Sequence, residues 1–189
     1  HKKIKVYNYS MQKSAWDQIT PLYTLPTTDQ HSVSQFRYLH SSQSSHTRDE
    51  GNPHHYCVFF LPIHRSSSSI YLGHHKKAND WIPPGGHIDQ GESPTDTAIR
   101  EMKEELNHTI VSDQLTPFSL SVKEINRPEL GCQAHYEIWY LVEMENMINF
   151  QYLTDEYHDA GWFTLKDGIA KIKYNPDFAQ IISRLDMLL

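Results

Sequence analysis

The sequence predicts an α/β domain, and two observations carry that expectation. Four segments read as strands, at residues 55–63, 70–74, 118–125 and 134–144. Each is rich in aromatic and β-branched residues, and the last one alternates. Two amphipathic segments, 94–106 and 176–189, carry helix-start signals. Strands interleaved with helices around one core define the α/β class. Chain order alone does not settle how the strands pair.

The first fifty residues differ from the rest. Lys3-Ile4-Lys5-Val6-Tyr7 alternates like a short strand, and residues 14–20 suit one or two helical turns stopped by Pro21. Residues 32–49, with six Ser and two His, read as a loop or linker. Trp16, Tyr23, Phe36 and Tyr38 give this segment apolar surface with which to dock. The expectation is a division at the Gly51-Asn52-Pro53 turn, with residues 1–50 an extension or arm and 51–189 the main domain. Such an arm is either packing, or a lid or homodimer contact that selects substrate. A protein starting near Gly51 is then expected to keep its fold.

Beyond the turn, residues 55–63 (HYCVFFLPI) and 70–74 form a hairpin across the polar turn at 65–69. His74-His75-Lys76-Lys77 follows, as a solvated strand end or as a contact to phosphate. Residues 118–125 and 134–144 give two more strands, the second with Ala134, Tyr136, Ile138, Tyr140 and Val142 on one face. Trp139 and the tyrosines read as packing residues. A short strand, Gly161-Trp162-Phe163, follows an acidic loop with Asp155, Glu156 and Asp159. Asn175 and Pro176 then open a helix whose stripe is Phe178, Ile181, Ile182, Leu185 and Leu189.

The most informative stretch lies at 83–108. Pro83-Pro84-Gly85-Gly86 forces a turn. Ser93 as N-cap, Pro94 at the first position and Asp96 in the first turn predict a helix over 94–106. Ala98, Ile99, Met102 and Leu106 share its apolar face, while Glu101, Glu104 and Glu105 gather on another. Like charges so spaced cost roughly 0.2–0.5 kcal/mol per pair, partly offset by Arg100 and Lys103. An acidic helical face is ordinarily just solvated. A glycine turn beside it, however, adds backbone carbonyls to carboxylates, the oxygen set that hard divalent cations take.

Gly86, Glu92 and Arg100-Glu101-Met102-x-Glu104-Glu105, separated by five and seven residues, resemble the Nudix box of the MutT-like hydrolases. The family's glycine after the paired glutamates is Asn107 here. His74-His75-Lys76-Lys77 followed by Trp81-x-Pro83-x-Gly85-Gly86-His87 resembles a bacterial-type subgroup. The resemblance covers roughly residues 51–189. It implies a Nudix α/β/α sandwich, with a mixed sheet between helices, and metal-dependent hydrolysis of a phosphoanhydride in a nucleoside diphosphate derivative. It also implies Mg2+ or Mn2+ held by Glu101, Glu104, Glu105 and the Gly85 carbonyl, with Glu92 and Arg100 orienting the cluster. Glu101 is the candidate base and Glu156 a candidate additional acid. A nucleotide sensor that does not cleave is the alternative, and an isoprenoid diphosphate isomerase is a further rival without a positive feature. The substrate stays open: Lys123 and Glu124 occupy the region where subfamilies are told apart.

A formal charge of −6 argues against a general nucleic-acid binder but not against a nucleotide bound through metal. Two cysteines, Cys57 and Cys132, with no CxxC pair, read as reduced thiols in a cytoplasmic protein. No apolar run reaches the ~18 residues of a membrane span, and no signal peptide is visible.

Overall fold

A computed structural model describes residues 17–127, 129 and 131–188. The strand expected at Lys3–Tyr7 and the docking of Trp16 lie outside the described residues. One mixed sheet, in the order β3-β2-β1-β6-β5, forms the middle layer, with β4 paired to β1 and β7 to β2. Its strands are β1 (His54–His64), β2 (Ser69–His75), β3 (Asp80–Ile82), β4 (Gly85–His87), β5 (Leu115–Arg127), β6 (Cys132–Glu143) and β7 (Tyr157–Thr164). The pair β1–β6 is parallel, from His54↔Ala134 to Ile63↔Glu143, and the other pairs are antiparallel.

Because side chains alternate along a strand, β1 and β6 serve two cores at once. Tyr56, Val58, Phe60, Tyr136, Ile138, Tyr140 and Val142 pack against the box helix α2 (Pro94–Leu106) through Ala98, Met102 and Leu106. Leu61, Ile63, Trp139 and Leu141 face the other way, onto α3 (Leu165–Lys171) and α4 (Pro176–Ser183). The architecture is thus the expected α/β/α sandwich. Trp139, fully buried, is a packing residue, as its sequence context suggested.

Residues 32–49 correct the sequence reading. Only 43–49 are loop, and the rest is helical: α1 spans Gln30–Ser42, capped by Asp29, whose carboxylate accepts from the Ser32 N–H at 2.8 Å and the Ser32 hydroxyl at 2.9 Å. Ser34, Ser41 and Ser42 donate back to carbonyls of the helix, while Val33, Phe36 and Leu39 enter the same core as the box helix. Phe36 stacks on Tyr56 at 5.8 Å and meets Tyr136 edge-on at 5.3 Å. Nor does Pro21 stop the helical path. It sits in the first turn of a 3-10 segment, Thr20–Thr24, where a missing N–H costs nothing. Just beyond, Thr27 and Thr28 cover the edge strand β5. The Thr27 hydroxyl donates to the Phe118 carbonyl, Ser119 donates to the Thr27 carbonyl at 2.6 Å, and the Leu120 N–H donates to Thr28 at 3.2 Å.

The C-terminal part also departs from expectation. A helix at Leu165–Lys171 was not read from the sequence, and α4 ends at Ser183 before a 3-10 turn, Arg184–Met187. Asn175 occupies the N-cap without a side-chain capping bond. Its amide instead donates to Asp80 at 2.9 Å and its carbonyl oxygen accepts from Lys123.

Candidate active site

The box helix begins with a reciprocal cap. The Asp96 N–H donates to Ser93 Oγ and the Ser93 N–H to Asp96 Oδ2, both at 3.2 Å. Pro94 fills the first position, as its sequence predicts. The other end is closed by Asn107 in the left-handed conformation, with φ 49° and ψ 34°. The Met102 carbonyl accepts from the N–H groups of both Asn107 and His108.

Between these ends Arg100 organises the carboxylates. Its Nε and Nη2 donate to the two oxygens of Glu92 at 2.8 and 2.9 Å, a bidentate pair. Nη1 donates to Glu101 at 2.7 Å and to Glu104 at 3.2 Å. Nη2 also reaches the His87 carbonyl at 3.1 Å, so the guanidinium joins the helix to the loop before it. The hydrogen bonds it donates to Glu92, then the charge of Glu101, keep Arg100 firmly protonated even though burial opposes it. Thr97 donates a further bond to Glu92 at 2.8 Å.

The three glutamates of the helix differ. Glu104 is largely exposed, its side chain 56% accessible. Glu101 is mostly buried beneath the glycine turn: a Cβ on Gly86 would fall 2.0 Å from Glu101 Oε1, so a side chain there would push the Glu101 carboxylate aside. Glu105 is buried deepest. Its Oε2 accepts from the Gly85 N–H at 3.0 Å and from the Tyr157 hydroxyl at 2.8 Å. Burial, then repulsion from Glu101, pushes the Glu105 carboxyl up to about 8, and burial raises Glu101 as well. Two buried carboxyls that oppose each other's ionisation form a site that a cation would stabilise.

Glu156 lies in the loop before β7, next to Tyr157. It pairs with His75 and Lys77, each at 3.3 Å, and Lys76 donates to the Thr154 carbonyl at 2.6 Å. The basic run therefore holds the acidic loop, a link the sequence reading did not make. His74 stacks on Trp81 at 5.4 Å. Of the rivals to Glu156, Asp159 bonds to the adjacent Ala160 N–H. Tyr157 was missed: no local pattern marks a tyrosine that meets Glu105 across 52 positions of sequence.

Residues 53–185 match the NUDIX domain family. The chain belongs to the Nudix family. Among its relatives is the asymmetrical bis(5'-nucleosyl)-tetraphosphatase of Caenorhabditis elegans, 34% identical over 104 residues, which are 55% of this chain and 69% of that protein. The mouse protein of the same name is 33% identical over 91 residues, 46% of this chain and 57% of its own length. Solved structures share the fold. The E. coli dihydroneopterin triphosphate pyrophosphohydrolase superposes with a TM-score of 0.61 at 18% identity, over 71% of this chain and 96% of that one. A C. elegans Ap4A hydrolase binary complex gives 0.57 at 24% identity, over 70% and 96%. This chain is a Nudix-type pyrophosphohydrolase. Among the described residues no helix is long and apolar enough to cross a membrane.

Proposed function

We propose that this Nudix hydrolase cleaves a phosphoanhydride bond in a dinucleoside polyphosphate, using Mg2+ or Mn2+ held by Glu101, Glu104, Glu105 and the Gly85 carbonyl. The observation that carries the reading is the buried Glu101–Glu105 pair beneath the glycine turn, braced by Arg100 and Tyr157. The residues fit such an ion: hard carboxylate oxygens, two of them raised by burial, beside a turn with no Cβ in the way. When bound, the ion neutralises charge on phosphate oxygens and polarises a water.

The chain's own residues do the rest. Glu92 and Arg100 fix the helix against the turn and keep Glu101 and Glu104 apart at defined positions. We assign Glu101 to take the proton from the attacking water. Tyr157 and the Gly85 N–H lock the orientation of Glu105. Glu156, on the neighbouring loop, is the proposed additional acid, positioned by His75 and Lys77. The bacterial-type subgroup, carried by the HHKK run and Trp81-to-His87, belongs to the same proposal.

The substrate class follows the nematode and mouse relatives, which are named for a bis(5'-nucleosyl) tetraphosphate. The test is a panel of dinucleoside polyphosphates, (d)NTPs, ADP-ribose, nucleotide sugars and coenzyme A with Mg2+ or Mn2+. The expected result is cleavage of a dinucleoside tetraphosphate into unequal products, faster than any other compound. Preference for another class overturns the substrate assignment. No cleavage of any compound overturns hydrolysis itself and leaves a nucleotide sensor.

A further inference from the structure

On the opposite side of the glycine turn from the carboxylates, three strands bring together a second set of donors. His55 comes from β1, His87 from β4, and Cys132 and His135 from the start of β6. One ligand atom from each lies within 4.8 Å of all the others, and among the described residues this is the only such group of three or more His, Cys, Asp or Glu. His87 Nε2 is 3.3 Å from His135 Nε2, and Cys132 Sγ is 3.7 Å from His55 Nε2 and 3.9 Å from His87 Nε2. A tetrahedral site with Zn–N near 2.0–2.1 Å and Zn–S near 2.3 Å has N···N edges of about 3.3–3.4 Å and N···S edges of about 3.6 Å. The shortest edges already match, and the rest, none longer than 4.8 Å, close to those lengths by a contraction of at most about 1.4 Å.

We propose that His55, His87, Cys132 and His135 form a structural zinc site, separate from the carboxylate centre. The donor chemistry selects the metal: three imidazoles and one thiolate suit Zn2+ and not Mg2+ or Ca2+. The tautomer of one ligand is already set. The Asn52 carbonyl accepts from His55 Nδ1 at 2.7 Å, which leaves Nε2 with its lone pair toward Cys132. His55 and Cys132 are buried, and His87 and His135 are partly accessible, so an ion has a route in. Burial, then the neighbouring imidazoles, pushes His87 and His135 down to about 3, which keeps both rings neutral and ready to ligate. Four protein ligands leave no open position, so the site ties strands together and does not hold a reacting water. His87 is the link to the rest of the molecule. Its side chain joins the cluster while its carbonyl holds Arg100, so a zinc ion here would stiffen the entry to the box.

The test is metal content. The full chain is incubated with Zn2+, dialysed against metal-free buffer, and its zinc is counted per chain. The expected result is one zinc per chain in the wild type and in Glu104→Gln, and loss of that zinc in His135→Gln and Cys132→Ser. His135 is partly exposed, so His135→Gln is the variant that keeps the fold, checked by circular dichroism. Replacement of zinc by Co2+ is expected to give the strong visible bands of a tetrahedral site and a thiolate charge-transfer band that Cys132→Ser removes. A wild type that retains no stoichiometric zinc overturns the proposal. So does a folded His135→Gln that retains it, or a Glu104→Gln that loses it.

Discussion

The Tyr157 hydroxyl donates to Glu105 Oε2 at 2.8 Å, joining the start of β7 to the last glutamate of the box helix. A second tie runs beside it, from the Leu153 N–H to the Glu105 carbonyl at 2.7 Å. Glu105 is thus held by elements far from it in sequence. Tyr157→Phe removes one of the two donors to that carboxylate, leaving the Gly85 N–H, and keeps the ring packing intact. Loss of such an outer partner typically costs 10- to 100-fold in metal affinity or activity. The expected result is an increase of about that size in the Mg2+ concentration that gives half-maximal turnover. An unchanged Mg2+ dependence would show that Tyr157 only fills space.

Glu104 is the converse case. It is exposed and, among the described residues, hydrogen-bonds to Arg100 alone, so Glu104→Gln should leave stability within about 0.5 kcal/mol. If Glu104 holds the cation as proposed, turnover should fall by about 100-fold or more through lost charge stabilisation at the phosphate. EDTA should abolish turnover of the wild type. The measurements are thermal midpoint and turnover side by side; activity that survives EDTA would sink the metal assignment.

What the sequence disclosed was local. Ser93, Pro94 and Asp96 fixed the start of α2 because capping acts within one turn, and Gly86, Glu92 and Arg100 carried the family because their spacing is written along one segment. What stayed hidden depended on distance or on weak local signal. The helix α1 was masked by serines, and only three inward positions reveal it. The strands β3 and β4, three residues each, are too short for any period to show. The His/Cys cluster was invisible for a physical reason. On a regular strand Cys132 and His135 would point to opposite faces. Both the Gln133 and Ala134 N–H groups bond to the Pro53 carbonyl, an irregularity that lets the two side chains meet.

Phe36 tests whether the segment before Gly51 is separable. It is fully buried among Tyr56, Tyr136 and the box-helix core, although it precedes the family match at residue 53. Phe36→Ala should cost about 3–5 kcal/mol, as a core truncation does. A protein beginning at Gly51 should then lose cooperative unfolding, whereas the sequence reading expects such a protein to keep its fold. Urea denaturation of both proteins decides it. A fully cooperative transition for the shorter chain would restore the division at Gly51.

Asp80 anchors the entry to α4. Its buried carboxylate accepts from the N–H groups of Lys173, Tyr174 and Asn175 at 2.9, 2.8 and 3.0 Å. Burial alone would raise this carboxyl, but the donors of Lys173, Asn175, Tyr174 and Trp81 outweigh it and hold the group below its ordinary value. A folded-state value below the unfolded one means that stability is present above the unfolded value, about 3.9, and is lost as pH falls through the folded value. Asp80→Ala should cost roughly 1–3 kcal/mol at neutral pH, since it removes the acceptor that three part-buried N–H groups share. The gap between wild type and variant should narrow below about pH 4. Denaturant midpoints at neutral and acid pH measure it; a gap that stays constant would contradict the assignment.

Asn107 closes the box helix at φ 49°, where the family resemblance places a glycine. Its side chain offsets the cost of that conformation by bonding in two directions. Oδ1 accepts from Lys103 at 2.7 Å, and Nδ2 donates to Gln151 at 2.8 Å. Asn107→Gly relieves backbone strain and gives up those two exposed bonds, so stability should change by less than about 1 kcal/mol. Asn107→Val places a β-branched residue at positive φ, a strain on the order of 1–3 kcal/mol. The Met102 carbonyl, which accepts from the N–H groups of residues 107 and 108, would be released if the turn opened. Glu104 and Glu105 sit in the final turn of the same helix, so opening it should also weaken cation binding. The expected order in both thermal midpoint and Mg2+ affinity is wild type close to Gly, with Val lower. If Val matches Gly on both measures, the left-handed residue does not govern how the helix presents its glutamates.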